Sequence, residues 1–293
     1  MSSRRASDFM RFGLTAGALA LSLSPSDAAG PCGGPENACA APLGTYFVAQ
    51  PETLSDAPRP AVLFFHGGGG WGSRIFTMRA EMTADFTRRG YVVLAPNGMK
   101  RPGSRFGPGW SFIPQFPPVR DEAAFTREIL ADAAKRFNVD PGRVLMAGYS
   151  IGGSLTTYLA CSDPSLAAAY APVAGGFWRP QPEDCAGPVK LLHTHGWRDQ
   201  TVPLEGRPLR NGVEQGDIHA TLAQWRTENH CTRYRADAFI TDGPFWRRIW
   251  THCAPGTALE FALHSGGHEV PKAWANLAMD WFEKVMAEPK NTN

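Results

Sequence analysis

The sequence predicts an α/β fold: a mostly parallel, doubly wound sheet with helices on both faces. Three observations predict it. Short apolar runs such as Val144-Leu145-Met146-Ala147 recur along the chain, as strands buried on both faces require. Segments with helical periodicity lie between those runs. The 31 Gly and 25 Pro among 293 residues suit a chain that crosses repeatedly between strands and helices.

Taken in order, residues 45–49 are predicted as an edge strand and 61–65 as a buried strand running into His66-Gly67-Gly68-Gly69-Gly70-Trp71. A single helix is expected over 76–89 and the next strand over 91–96. Phe125, Ile129, Ala133 and Phe137 recur every four residues, which predicts an amphipathic helix over 121–137 that covers the sheet. The strand at 144–147 is followed by a helix over 154–161. Further strands are expected at 167–174 and 189–195. A helix carrying Ile218, Leu222 and Trp225 starts from the capping residue Asp217. Residues 234–240 and 246–251 read as a hairpin or irregular insertion around Asp242-Gly243. The last strand spans 258–264 and the closing helix 273–286.

Composition narrows the function classes. A net charge of +2 argues against a dedicated nucleic-acid binder. Residues 1–29 read as an export signal peptide: Arg4 and Arg5 precede an apolar stretch from Phe12 to Leu23, and small residues follow around Ser26-Asp27-Ala28. That stretch is too short to span a bilayer, so a secreted or periplasmic protein without membrane association is expected after cleavage; the export route stays open. Residues 30–44 read as a Cys/Gly/Pro-rich N-terminal arm, and 45–293 as one domain. Six cysteines fit an oxidising compartment. They allow 15 connectivities, and pairing of sequence neighbours is expected: Cys32 with Cys39, Cys161 with Cys185, Cys231 with Cys253. No Cys-x-x-Cys pair occurs, so no metal site is expected.

The chemistry centres on Gly148-Tyr149-Ser150-Ile151-Gly152. Strand, Gly-x-Ser-x-Gly and helix in that order describe a nucleophile elbow, in which the serine hydroxyl stands at the carboxyl end of the sheet. A serine hydroxyl needs a base within hydrogen-bond reach and an anion that orients the base. In elbow hydrolases the acid and then the histidine follow the serine along the chain. Asp199, just after a strand end, and His268, after the last strand, fit that order; Asp163 and Asp184 rival the first, and His264 the second. Ser150 is therefore the candidate nucleophile, His268 the base and Asp199 the orienting carboxylate. The N–H groups of Ile151 and Gly68 are the candidate oxyanion donors, with Gly69 as the near alternative. Trp71, Trp110, Trp197 and Tyr149 are candidate substrate-pocket residues. His193 and His195 share one strand face but lack a third ligand at suitable spacing, so packing is the expected role.

These residues carry a family resemblance. His66-Gly67, Pro96-Asn97-Gly98, Gly148-Tyr-Ser-Ile-Gly-Gly153, Ala171-Pro-Val-Ala-Gly175, His195-Gly-Trp-Arg-Asp199, Trp250-Thr-His-Cys253 and Gly266-Gly-His268 run in one order from about residue 45 to the end. In this the chain resembles the secreted polyhydroxybutyrate depolymerase and feruloyl esterase group, related to carbohydrate esterase family one, within the α/β-hydrolases. The resemblance implies an α/β-hydrolase fold, the triad Ser150, Asp199 and His268, and bridges at Cys161–Cys185 and Cys231–Cys253. Ile151 stands where the group often has Asn, Val270 where it often has Trp, and the glycine run at 67–70 is longer than usual. All three departures flank the substrate site and leave the triad intact.

The resulting expectation is an exported serine esterase that needs no cofactor. It works through an acyl-enzyme, with polyhydroxybutyrate-type oligomers as first substrate and feruloyl or acetyl-xylan esters as the alternative. No polymer-binding module or Ser/Thr-rich linker is visible, which favours soluble oligomers or small esters as the partner. An oligopeptidase-like serine peptidase and a non-catalytic binding protein are the rivals from other classes. The sequence carries no indication of oligomeric state.

Overall fold

A computed structural model describes residues 32–53, 56–104 and 107–288; the expected signal peptide lies outside the described residues. The strands are β1 (Gly34–Ala41), β2 (Gly44–Ala49), β3 (Arg59–Phe65), β4 (Val92–Pro96), β5 (Val139–Tyr149), β6 (Ala169–Val173), β7 (Trp178–Arg179), β8 (Lys190–Gly196), β9 (Arg207–Pro208), β10 (Glu214–Gln215), β11 (Ala238–Asp242), β12 (Phe245–Trp250) and β13 (Ala258–His264). The helices are α1 (Gly72–Met78), α2 (Ala80–Arg88), α3 (Glu122–Phe137), α4 (Ile151–Ser162), α5 (Ile218–Glu228) and α6 (Trp274–Ala287).

Ten strands form one sheet in the order β1-β2-β4-β3-β5-β6-β8-β13-β12-β11. The six from β4 to β13 in that order run parallel. The two strands at each end are antiparallel additions. This is the α/β-hydrolase type of fold. β4 and β6 are buried at every position, the pattern of strands covered on both faces. Alternate residues of β3 serve different layers. Leu63 and Phe65 join a core with Phe125 and Ile129 of α3, Leu155 of α4 and Trp225 of α5. Val62 and Phe64 join a second core with Phe86 of α2 and with Trp274 and Phe282 of α6.

Local chemistry sets the helix ends. The Asp121 side chain accepts from the Ala124 N–H at 2.9 Å and Asn138 closes α3 in the left-handed region at φ 51°, a conformation Asn tolerates. Asp217 caps α5 in the same manner as Asp121, accepting from Ala220 at 2.9 Å.

One expectation is corrected. The helix expected over 76–89 is two helices broken at Arg79 (φ −129°, ψ 39°); the break sets the Arg79 guanidinium over the Tyr149 ring, 4.5 Å from its centroid. Within residues 30–44, β1 pairs with β2 and forms the outermost strand of the sheet. A small second sheet, β7-β10-β9, was not expected; its strands of two residues are too short to show a period. The segment around Asp242-Gly243 is a regular hairpin that extends the main sheet. The expected cysteine pairs are all bonded: Cys32–Cys39, Cys161–Cys185 and Cys231–Cys253.

Candidate active site

β5 ends at Tyr149 and α4 begins at Ile151, leaving Ser150 alone in the turn. Ser150 adopts φ 60°, ψ −125°, a conformation costly for any residue with a side chain and found mainly where surrounding structure enforces it. Here the enforcement is steric. A Cβ on Gly152 would lie 2.2 Å from the Phe65 carbonyl oxygen, and one on Gly148 would lie 2.3 Å from that of Gly152. Only glycine lets β3, β5 and α4 approach so closely.

Parallel β8 and β13 open their loops at the same edge of the sheet. Asp199 follows β8 and His268 follows β13, and the folds of these loops bring both to Ser150. His268 Nε2 lies 2.9 Å from Ser150 Oγ and Nδ1 lies 2.7 Å from Asp199 Oδ2. A carboxylate only accepts, so Nδ1 carries the proton and Nε2 presents its lone pair to the hydroxyl. The rivals are placed elsewhere. Asp163 pairs with Arg127 and caps a turn at Ser165, the backbone of Asp184 lies beside the Cys161–Cys185 bridge, and the ring of His264 accepts from the Gly266 N–H.

Asp199 is buried and its other oxygen, Oδ1, accepts from the N–H groups of Thr201 at 2.9 Å and Val202 at 2.8 Å. Burial pushes its pKa up, but the hydrogen bonds from His268 and Val202 count for more and hold it below the usual carboxylate range. Behind it sits a pair that sequence reading left as packing. His195 Nε2 is 2.8 Å from the Val202 carbonyl oxygen, so that nitrogen donates. His195 Nδ1 must then accept from His193 Nε2, 3.2 Å away, and His193 Nδ1 has no partner among the described residues. Burial lowers the His195 pKa to about 4 and that of His193 well below its ordinary value. Both rings are therefore neutral, and His195 braces the turn that carries Asp199 without adding a competing charge.

The residues that carry the candidate oxyanion donors are neighbours: a Cβ on Gly68 would lie 3.7 Å from Ile151 Cδ1, and one on Gly67 3.3 Å from Ser150 Cβ. Ile151 opens α4, so its N–H has no intrahelical acceptor. The Gly69 N–H is committed to the Pro108 carbonyl at 2.9 Å, whereas Gly68 makes no backbone hydrogen bond among the described residues. Of the two glycines, Gly68 is the one left available. The loop beneath it is pinned by His66, whose Nε2 accepts from the Gly98 N–H at 2.9 Å; burial lowers the His66 pKa to about 4.

The four candidate pocket residues separate. Tyr149 lies with its ring 4.8 Å from that of His268 and donates its hydroxyl to the His268 carbonyl at 2.6 Å, so it steadies the base. Trp110 is buried; its indole N–H donates to the His66 carbonyl at 2.9 Å and its ring packs edge-on against Phe65. It backs the loop that carries Gly68. Trp71 is exposed on the turn before α1. Trp197 faces a surface groove with Phe239 and Trp246. Another contributor was missed from sequence: the buried pair Arg120–Glu122 at 2.7 Å, in which Arg120 also holds the Asn97 carbonyl and Glu122 accepts from Ser111. Neither residue falls in a motif, and charged residues are seldom buried.

Comparison with known proteins agrees with this architecture. A family model, the dienelactone hydrolase family, matches residues 45–231. Feruloyl esterase B of Piromyces equi is 27% identical over 195 residues, 60% of this chain and 34% of that protein. An acetylxylan esterase of Coprinopsis cinerea is 24% identical over 265 residues, 80% of this chain and 68% of that one. The chain thus spans only about a third of the length of the first of these relatives. Among solved structures, the acetyl xylan esterase from Aspergillus awamori superposes with a TM-score of 0.60 at 15% identity, covering 85% of this chain and 95% of its own. With the family match covering most of the sheet, the elbow and Asp199, the chain belongs to the dienelactone hydrolase family, within the α/β-hydrolase superfamily.

Proposed function

We propose that this protein is a serine esterase that removes small acyl groups, such as acetyl, from polysaccharide. The observation that carries the hydrolase reading is the hydrogen-bonded chain Ser150–His268–Asp199. Ser150 Oγ attacks the ester carbonyl carbon while its proton passes to His268 Nε2. The carbonyl oxygen becomes an oxyanion held by the N–H groups of Ile151 and Gly68. Collapse breaks the bond to the alcohol, which takes the proton from His268. Water then attacks the acyl-serine by the same route, releasing the acid and restoring Ser150.

The small acyl group is supported by Ile151. Its side chain leans into the space between the two loops flanking the serine, so that a Cβ on Gly109 would lie 3.1 Å and one on Gly68 3.7 Å from Ile151 Cδ1. Polysaccharide as the alcohol side is supported by the name of the acetylxylan esterase from Coprinopsis cinerea; the name of Feruloyl esterase B from Piromyces equi makes feruloyl esters the second reading. The hydroxybutyrate reading rests on motif resemblance alone and ranks below both. Export to an oxidising compartment is supported by the three bridges.

Hydrolysis rates on acetylated xylan, methyl ferulate and a 3-hydroxybutyrate oligomer, with Ser150→Ala as blank, test the reading. The expected result is a preference for acetylated xylan and a loss of about 10⁴-fold or more in the variant. A preference for the oligomer would restore the depolymerase reading. Hydrolysis of peptides, or of nothing, would favour the peptidase or binding-protein rivals.

A further inference from the structure

A cavity of about 410 Å³ opens at the start of β13 beside the end of α6, at the edge of the sheet opposite to Ser150. The smaller groove at Trp197 is differently placed. β12 runs antiparallel to β13, with Trp246 opposite Leu263 and Phe245 opposite His264. Trp246 therefore sits at the carboxyl end of β13, the edge from which Asp199 and His268 also project. Here a cavity of about 110 Å³ is lined by Trp197, His219, Phe239, Trp246, Arg248 and Phe261, among others. Three of these rings are left open to solvent, at 61% for Trp197, 64% for Phe239 and 39% for Trp246. A cluster of exposed rings in a concave site is uncommon on a soluble surface and marks a binding region.

We propose that this groove is a distal sugar-binding subsite, which holds pyranose units of the polysaccharide whose ester is cleaved at Ser150. It rests on the reading of the Ser150 site as a polysaccharide esterase. The chemistry of the lining selects the ligand. Flat indole and phenyl faces suit the apolar C–H face of a pyranose. The Arg248 guanidinium, 5.8 Å from the Phe239 ring centroid, offers donors to ring hydroxyls, as does His219 of α5, which also lines the groove. Trp197 is fastened to the frame of the triad: its N–H donates to the His264 carbonyl at 2.7 Å, and it precedes Asp199 by two residues.

Size argues against a second copy of the chain as occupant. Three rings at these exposures offer about 250–410 Å², about half or less of the ~800 Å² per partner in a stable interface. Distance argues against the acyl group itself. β12 lies four strand steps from β5, about 19 Å at the usual spacing, so a ligand touching both sites must be a chain of several sugar units.

The test uses the full-length Ser150→Ala protein and unsubstituted xylohexaose and xylobiose, titrated calorimetrically. Xylohexaose is expected to bind at least about tenfold more tightly than xylobiose, and Phe239→Ala/Trp246→Ala on the same background to erase that difference. With Ser150 intact, the double variant should lower kcat/KM on acetylated xylan by about tenfold relative to its own value on 4-nitrophenyl acetate. Phe239→Ala alone, on the edge strand, carries the same test should the double variant not fold. Equal binding of the two sugars, no sugar binding, or unchanged binding in the variants overturns the proposal. So does a wild-type dimer in sedimentation that Phe239→Ala disperses, which would make the occupant a second copy. Sugar binding through the groove without hydrolysis of acetylated xylan would sink the polysaccharide-esterase reading and leave the groove standing. Hydrolysis that ignores the groove variants would do the reverse.

Discussion

His195 shows how much of the site is held from behind. Its two ring nitrogens are both occupied, one by the Val202 carbonyl and one by His193, in a region with no solvent access. Replacing it with Phe keeps the volume and leaves both partners unsatisfied, at about 1–3 kcal/mol each. We expect His195→Phe to lower the melting temperature and to reduce kcat more than it changes KM, because the Asp199 turn loses its brace while the substrate surface is untouched. A fall in stability with kcat unchanged would show that the pair only packs. Motif reading located His195 but not this role, because a histidine's partners are set by strands that meet only in the fold. Ser150 is the opposite case: the glycines on either side announce the strained turn from the chain itself.

At the scale of elements, the elbow is the least forgiving part of the fold. Gly152→Ala would drive a methyl group into the carbonyls of Phe65 and His66, so β3 and α4 would have to separate. The expected outcome is a protein destabilised by more than about 3 kcal/mol, read from the denaturant midpoint, or one that does not fold. Wild-type stability would mean that β3 and α4 can separate at little cost. The bridges act at the ends of elements. Cys161–Cys185 closes a separation of 24 residues at the end of α4 and Cys231–Cys253 one of 22 after α5, each worth about 3 kcal/mol by loop closure. Reductant should lower the melting temperature clearly; an unchanged value would show that neither bridge contributes.

The whole molecule should be acid-sensitive, because several histidines are buried neutral. His66 and His195 are each lowered to about 4, and His193 is held well below its ordinary value, with burial the main cause in each. A lowered folded pKa means that the unfolded chain binds more protons between the ordinary histidine value and the folded one. Stability then rises with pH across that window and falls as pH drops from about 6.5 towards 4. Each group contributes a slope of about 1.4 kcal/mol per pH unit once its unfolded form is protonated. Asp199, held low, adds loss of the same sign at lower pH. Denaturation midpoints measured between pH 4 and 7.5 check this; a flat profile would mean that these imidazoles are hydrated in solution.

The sequence by itself determined the alternation of strands and helices, the elbow, and the order of serine, acid and histidine. Each depends on periodicity, on turn chemistry or on spacing along the chain, which are local properties. The tertiary structure alone decided what depends on segments far apart in sequence. It broke the helix at Arg79 to reach Tyr149, drew β1 into the sheet and buried Arg120 against Glu122. It turned Trp110 inward behind His66 while leaving Trp197 outward beside Phe239 and Trp246. No local pattern separates those two tryptophans, because their exposure is set by whichever strand or loop packs across them.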